Sequence, residues 1–281
     1  MSARLLAAMV IAAAWLCPAA VSADIAPPPD SKGSAKDTPT TEKHKVKVES
    51  RAVVAHEEVV VCLHDGEMKS GDGCPTGRAS VIGVVPVEEG ALRLPHAIAT
   101  IRTMSEAHPD DPCGENRIAE GVGWEHRDLG RALTVLPPTN ATYQKAVAEK
   151  VGIAEVKLTG LVRVDLEGDG VDEVLFTTDS HGGERPWGDE PYKTYSHIGV
   201  RKVGADGQVV THLLHDHQGE VRWEGGFPDI TTAQLEGFTD ADGDGKLEVV
   251  ITIRGYESYT TFVYRVTADK AESLGLSGCA I

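Results

Sequence analysis

The chain has 281 residues, with 43 acidic against 27 basic side chains and a formal charge of −16. So acidic a surface repels phosphate backbones and anionic lipid, which excludes nucleic acid as an expected partner and favours cations. The five cysteines match no zinc-ligand spacing.

The N-terminus sets the compartment. Arg4 precedes an apolar core, Leu5 to Leu16, and Val21-Ser22-Ala23 places small residues where a signal peptidase cuts, so residues 1–23 read as a secretory signal. An uncleaved anchor is the competing reading, and Pro18 with the cleavage-like tail argues against it. Lipidation at Cys17 is disfavoured by the bulky Leu16 before it. Cleavage removes one positive charge, leaves a more acidic chain, and predicts a secreted or periplasmic protein with no membrane insertion. Residues 24–50 are rich in Pro, Lys, Thr and Ser and cannot bury enough surface to offset the entropy of ordering, so they read as a disordered tether.

From residue 51 to 136 the pattern is β-rich. "AVVAHEEVVVCL" and "ASVIGVVPV" are short β-branched runs separated by Gly, Asp and Pro. Cys62, Cys74, Cys113 and Cys279 form an even set in an exported chain, where disulfides are expected. Cys62 with Cys74 is the favoured pair, because the two flank a hairpin and "GDG" precedes Cys74; this leaves Cys113 for Cys279, with other orders or free thiols open. Ile98, Ile101 and Met104 recur every three residues and suggest a short helix between Leu94 and Pro109.

The segment 137–281 opens with a stronger helix signal. Thr139 or Asn140 can cap it after Pro137-Pro138, Tyr143, Val147 and Val151 share a face, and Gly152 can end it. Strands follow in "LVRV", "EVLFTT", "HIGVRKV", "QVVTHLL", "EVVITI" and "TTFVYRV".

Two acidic loops lie among them. "DLEGDGVDE" (Asp165 to Glu173) and "DADGDGKLE" (Asp240 to Glu248) start 75 residues apart, and each leads into an apolar strand. Further on, "VRKVGADG" corresponds to "YRVTADKA" with Val203 opposite Val266, an offset of 63, so the first copy carries an insertion around His181 to Tyr192. This is an internal repeat of a loop plus at least two strands.

Crowded carboxylates repel unless a cation sits among them. Ca²⁺ takes six to eight oxygens at about 2.3–2.6 Å, and alternate residues of a tight loop can turn oxygens inward. Asp165, Glu167 and Asp169 supply them in the first loop, and Asp240, Asp242 and Asp244 in the second. Gly170 and Gly245 permit the sharp turn, Val171 and Lys246 offer carbonyl oxygens, and Glu173 and Glu248 close the shell. Two calcium sites are therefore expected, the second the tighter, because the longer Glu167 side chain costs more entropy to order. An EF-hand would need Glu at the twelfth position, where Phe176 and Ile251 stand.

"VRVDLEGDGVDEVLF" and "FTDADGDGKLEVVITI" resemble the FG-GAP or VCBS-type repeats of β-propeller blades. The resemblance spans about Leu161 to Leu276, and it implies a mainly β fold of blade-like antiparallel sheets with one or two short helices. A closed propeller needs more blades than the two copies here.

His212, His215 and His217 read as surface or turn histidines, with no fourth ligand at a recognisable spacing. No nucleophile elbow, metalloprotease helix or phosphate loop is present, and no catalytic residue is assigned. The expected function is an exported calcium-binding module for a protein or glycan ligand. The alternative is an exported hydrolase of polysaccharide or peptide with structural calcium, since glycoside-cleaving carboxylates carry no local signature.

Overall fold

The computed structural model describes residues 50–103, 116–118, 123–180, 192–204, 206–221, 231–255 and 257–280. The signal segment 1–23, the tether up to residue 49, Cys113 and residues 181–191 of the insertion lie outside the described residues.

The N-terminal β-branched runs form strands because the residues between them accept left-handed backbone. β1 (Ser50–Ala55) turns at His56-Glu57 into β2 (Glu58–His64), which turns at Asp65-Gly66 into β3 (Glu67–Ser70). All four turn residues have positive φ, as a two-residue hairpin turn demands. A single 3-10 turn, Gly71–Gly73, carries the chain to Cys74, which is disulfide-bonded to Cys62 with the Cα atoms 5.9 Å apart. This is the favoured pairing. The Cys113–Cys279 pairing involves a residue outside the described set.

β4 (Gly77–Gly83), β5 (Val85–Pro86), β6 (Gly90–Thr103), β7 (Asn116–Ile118) and β8 (Glu125–Val135) follow. The expected helix between Leu94 and Pro109 is not formed: the segment as far as Thr103 belongs to strand β6. Its burial alternates, but the phase switches midway. Leu92 and Leu94 are buried on one face, then Ala97, Ala99 and Ile101 on the other, while Ile98 is 48% exposed. The threefold spacing of Ile98 and Ile101 therefore joins residues from opposite faces of a strand.

The second expected helix is present as α1 (Ala141–Val151). Asn140 Oδ1 accepts the N–H groups of Thr142 and Tyr143, and Gly152 ends the helix in the left-handed conformation. Val147 and Val151 are its buried residues.

Two runs of four consecutive antiparallel strands complete the chain. β9 (Leu158–Val164), β10 (Glu173–Asp179), β11 (Tyr192–Val203) and β12 (Val209–Val221) pair in sequence order. So do β13 (Thr232–Thr239), β14 (Glu248–Arg254), β15 (Ser258–Val266) and β16 (Ala271–Ala280).

The first run continues through β9–β8 pairing into a mixed 11-stranded sheet, ordered β12-β11-β10-β9-β8-β6-β4-β1-β2-β3, with β7 bridging β2 and β6. The second run forms a 5-stranded sheet with β5 at its edge. Strands from residues 51–136 thus join strands from 137–281 in both sheets. Among the described residues the architecture is mainly β with one helix, and no barrel closes.

Packing explains the unbroken apolar runs. Phe238, Val249 and Ile251 on one face of the smaller sheet meet Leu94, Val164, Leu175 and Ile198 of the larger. On the opposite face Val250 and Val263 meet Val53, Ala55, Val60 and Val61. A strand covered on both faces needs apolar residues at consecutive positions, which is why "VVI" in β14 does not alternate. In β10, Leu175 faces the smaller sheet while Val174 and Phe176 pack under α1 with Val147 and Val151.

Candidate metal centre

Each acidic loop connects the first strand of a four-stranded run to the second. Residues 165–172 join β9 to β10, and 240–247 join β13 to β14. The loops meet each other: Leu247 N–H donates to Leu166 O at 2.8 Å.

The turns are set by glycine. Gly168 and Gly170 have φ of +74° and +84°, and Gly243 and Gly245 have +81° and +87°. The fourth loop position is thus as constrained as the sixth. A guanidinium lies over each fourth-position glycine, so that a Cβ on Gly168 would fall 2.2 Å from Arg131 Nη2 and one on Gly243 only 1.6 Å from Arg51 Nη1. A side chain at either place would strain the backbone and have to displace the guanidinium.

The closing glutamates tie strand to loop. Glu173 Oε2 accepts Leu166 N–H and Glu248 Oε2 accepts Ala241 N–H, each at 2.8 Å. Their other oxygens meet a cation on the next strand. Lys202 Nζ lies 2.7 Å from both Glu173 Oε1 and Glu167 Oε2. Arg265 Nη2 lies 2.7 Å from Glu248 Oε1 and 2.6 Å from Asp242 Oδ2.

Burial lowers the Lys202 affinity for its proton, but the two carboxylates outweigh it and hold the ammonium above its ordinary value. Arg265 is held up in the same way. Burial pushes the Glu248 carboxyl up, against the pull of Ala241 N–H and Arg265.

The loops differ at their first position. Asp165 folds onto its own loop, its oxygens accepting the N–H groups of Gly168, Asp169 and Gly170 at 2.6, 3.2 and 2.9 Å. Asp240 is fully buried, and one oxygen pairs with Arg127 Nη2 of β8. Its Oδ1 has no hydrogen-bond partner.

Asp240, Asp242 and Asp244 bring one oxygen each to within 4.8 Å of the others, and among the described residues they are the group that does so. Two oxygens bound to one Ca²⁺ at 2.3–2.6 Å are at most about 5 Å apart, so the triad fits such an ion. Of the four carboxylates of this loop, Asp240 pairs with Arg127, and Asp242 and Glu248 share Arg265, while Asp244 makes no ion pair among the described residues.

The other expected residues are placed as follows. Asp169 Oδ1 accepts Val171 N–H at 2.9 Å, and Asp244 Oδ1 accepts Lys246 N–H at 2.8 Å. The first loop brings Asp165, Glu167, Asp169 and Glu173 into one turn, but Glu167 is drawn to Lys202 and Asp165 to the loop amides. Asp172 turns away and pairs with Arg163 at 2.9 Å.

The sequence reading missed the basic residues. Lys202 and Arg265 stand 63 positions apart, the offset already visible between Val203 and Val266, so that alignment carried the signal. Arg51, Arg127 and Arg131 come from remote strands, and no local pattern marks them.

The histidines are dispersed in strand β12. His212 Nε2 lies 3.2 Å from Ala268 O, and His215 and His217 stack with ring centroids 6.3 Å apart. Among the described residues no histidine belongs to a metal-ligating group. A groove of about 440 Å³ lies between β9–β10 and β13–β14, and among the described residues Asp179 is the one carboxylate in its lining.

Comparison of the chain with protein-family models, curated proteins and solved structures finds no match. Fold and loop together define a mainly β protein with a buried-edged acidic cluster.

Proposed function

We propose that the chain is an exported calcium-binding protein, a non-enzymatic module that presents a protein- or glycan-binding surface in the periplasm or outside the cell. The observation that carries the reading is the wholly buried Asp240, whose Oδ1 lacks a partner beside Asp242 and Asp244. A buried carboxylate oxygen without a donor is costly, and a calcium ion shared with the two neighbours removes that cost. The matched closing glutamates and their Lys202 and Arg265 partners support reading β9–β12 and β13–β16 as two copies of one FG-GAP/VCBS-like repeat. Calcium bound by the chain acts on its own residues by holding loop to strand and the two loops to each other.

Export is supported by the signal-like first 23 residues and by the Cys62–Cys74 disulfide, which fits an oxidising compartment. Among the described residues no helix is long and apolar enough to cross a membrane. The hydrolase alternative gains no support from the groove beside Asp179, because acid-base cleavage of a glycoside takes two carboxylates.

The test is thermal melting of the mature chain in EGTA and in millimolar calcium. Binding only to the folded state stabilises by about 2.7 kcal/mol at a hundredfold excess over Kd, so the midpoint rises by several degrees. Superimposed curves overturn the calcium reading.

A further inference from the structure

We propose a second, anionic ligand site: a pocket on the larger sheet, next to the second acidic loop, that binds one small oxyanion of carboxylate or phosphate chemistry. The pocket has a volume of about 180 Å³ and is lined by Arg51, Ser80, Ile82, Leu94, His96 and Arg127. These residues come from β1, β4, β6 and β8, four adjacent strands. Strand register places them in one row: Arg51 is opposite Ser80, Ile82 opposite His96, and Leu94 opposite Arg127. Opposed residues share a face, and so do residues two apart on a strand, so the six side chains stand on the same face.

The row is built to hold negative charge. Ile82 and Leu94, 6% and 1% exposed, give it an apolar floor that excludes water and strengthens any charge pairing above it. Arg51 stands at one end and Arg127 at the other, with Ser80 and His96 between them as hydrogen-bonding groups. Guanidinium groups match the planar fork of a carboxylate or an edge of phosphate.

Arg51 is the residue that requires a partner. Its Nη1 is buried and makes no hydrogen bond. Arg131, which covers the equivalent glycine of the first loop, instead donates to the carbonyl oxygens of Asp165, Leu166 and Gly245. His96 Nδ1 is likewise buried without a partner, while its Nε2 lies 3.5 Å from Glu125 Oε2.

Two carboxylates compete for the row. Asp240 takes one donor of Arg127, and Glu125 is 82% exposed and weakly held. Arg127 keeps further N–H donors for the pocket, since a guanidinium carries five. A volume of about 180 Å³ admits a few heavy atoms with their waters. A carboxylate terminus or an inorganic phosphate fits that description, and a polymer segment does not.

The experiment is calorimetric titration of the mature chain with inorganic phosphate, sulfate and acetate at constant ionic strength, in calcium and again in EGTA. The unmodified protein is expected to bind at least one probe saturably in calcium. A tetrahedral preference assigns the site to phosphate or sulfate, and an acetate preference to carboxylate. Arg51→Gln is expected to weaken that binding at least tenfold and Arg51→Lys to restore part of it, whereas Arg78→Gln, on the exposed start of β4, leaves it unchanged. Absence of saturable binding of all three probes by the unmodified protein overturns the proposal without reliance on any variant. Binding that Arg51→Gln and Arg78→Gln alter equally overturns it too. The EGTA arm separates this site from the calcium reading, because anion binding that persists without calcium stands whether or not the acidic loop takes a cation.

Discussion

Asp165 and Asp240 occupy the same position in two loops and have different tasks. Asp165 spends both oxygens on three loop amides, so the first loop holds its turn with its own hydrogen bonds. Asp240 leaves Oδ1 free in a buried place. A cation arriving at the first loop must compete with those amides and with Lys202; at the second it must compete with Arg265 for Asp242, but it meets at Asp240 an oxygen that has nothing to give up. Asp244 is exposed, so Asp244→Ala costs little fold stability. It is expected to remove the tighter phase of a calcium titration, with Asp169→Ala affecting only a weaker one; the opposite assignment would reverse the ranking of the loops.

A second residue-scale prediction concerns His215. Burial, then the neighbouring His217 and His197, push its pKa down to about 4 against the pull of Asp216. His197, buried with Nδ1 2.7 Å from Thr178 Oγ1, is also lowered by burial, partly offset by Asp216. A histidine with a depressed native pKa takes up its proton more readily when unfolded. The stability it contributes is therefore present above about pH 6.5 and is lost as pH falls towards about 4. His215→Gln is expected to flatten the decline of urea midpoint across that window, and an unchanged slope would show that this ring does not control it.

At the scale of elements, the recurring device is a strand that reaches back to fasten the loop before it. Glu173 bonds the amide of Leu166 and the ammonium of Lys202, and both side chains are nearly inaccessible, 2% and 5% exposed. Removing one partner of a buried pair strands the other, at a cost of about 3–5 kcal/mol. Lys202→Met is expected to destabilise by that order in urea unfolding. Lys202→Met with Glu173→Gln is expected to cost less than the sum of the two single changes, because the doubly altered chain has fewer stranded charges.

The loops themselves were legible in the sequence because their chemistry is local: carboxylates and glycines at fixed spacing within nine residues. Helix α1 was legible for the same reason, its cap, apolar stripe and terminating glycine all lying between Pro138 and Gly152. Strand β6 was not, since its buried face changes midway, from Leu94 to Ala97, and no single period describes it. Strands β13 and β16 also carried little signal. β13 reads "TAQLEGFT" and β16 is interrupted by Gly275 and Gly278. The second of these glycines lies so close to β15 that a Cβ would fall 2.4 Å from Tyr259 O, a tertiary demand no propensity reports. The arginines over the loops were illegible for a related reason: Arg51 and Gly243 are neighbours only once the two sheets have packed.

At the scale of the molecule, the smaller sheet is held between two parts of the larger one, and the packing joins residues far apart in sequence. Val53 of β1 shares a cluster with Val250 of β14, and Leu94 of β6 shares another with Ile251. Arg127 of β8 pairs with Asp240, and β5 extends the sheet begun by β13. The clusters within β1–β6 and under α1 are local, but the two that join the sheets tie both ends of the described chain into one packed unit. Unfolding is expected to be a single transition, with tryptophan fluorescence and far-UV circular dichroism giving the same midpoint in urea. Reduction of Cys62–Cys74 tests the same point from one edge. The bond closes a short loop, separation 12, whose removal from the unfolded state's constraints costs about 3 kcal/mol. If the fold is one cooperative unit, reduction shifts both probes together to lower urea. Should the β1–β3 end instead melt alone after reduction, the fluorescence and dichroism midpoints would separate, and the two clusters would have to be regarded as independent cores.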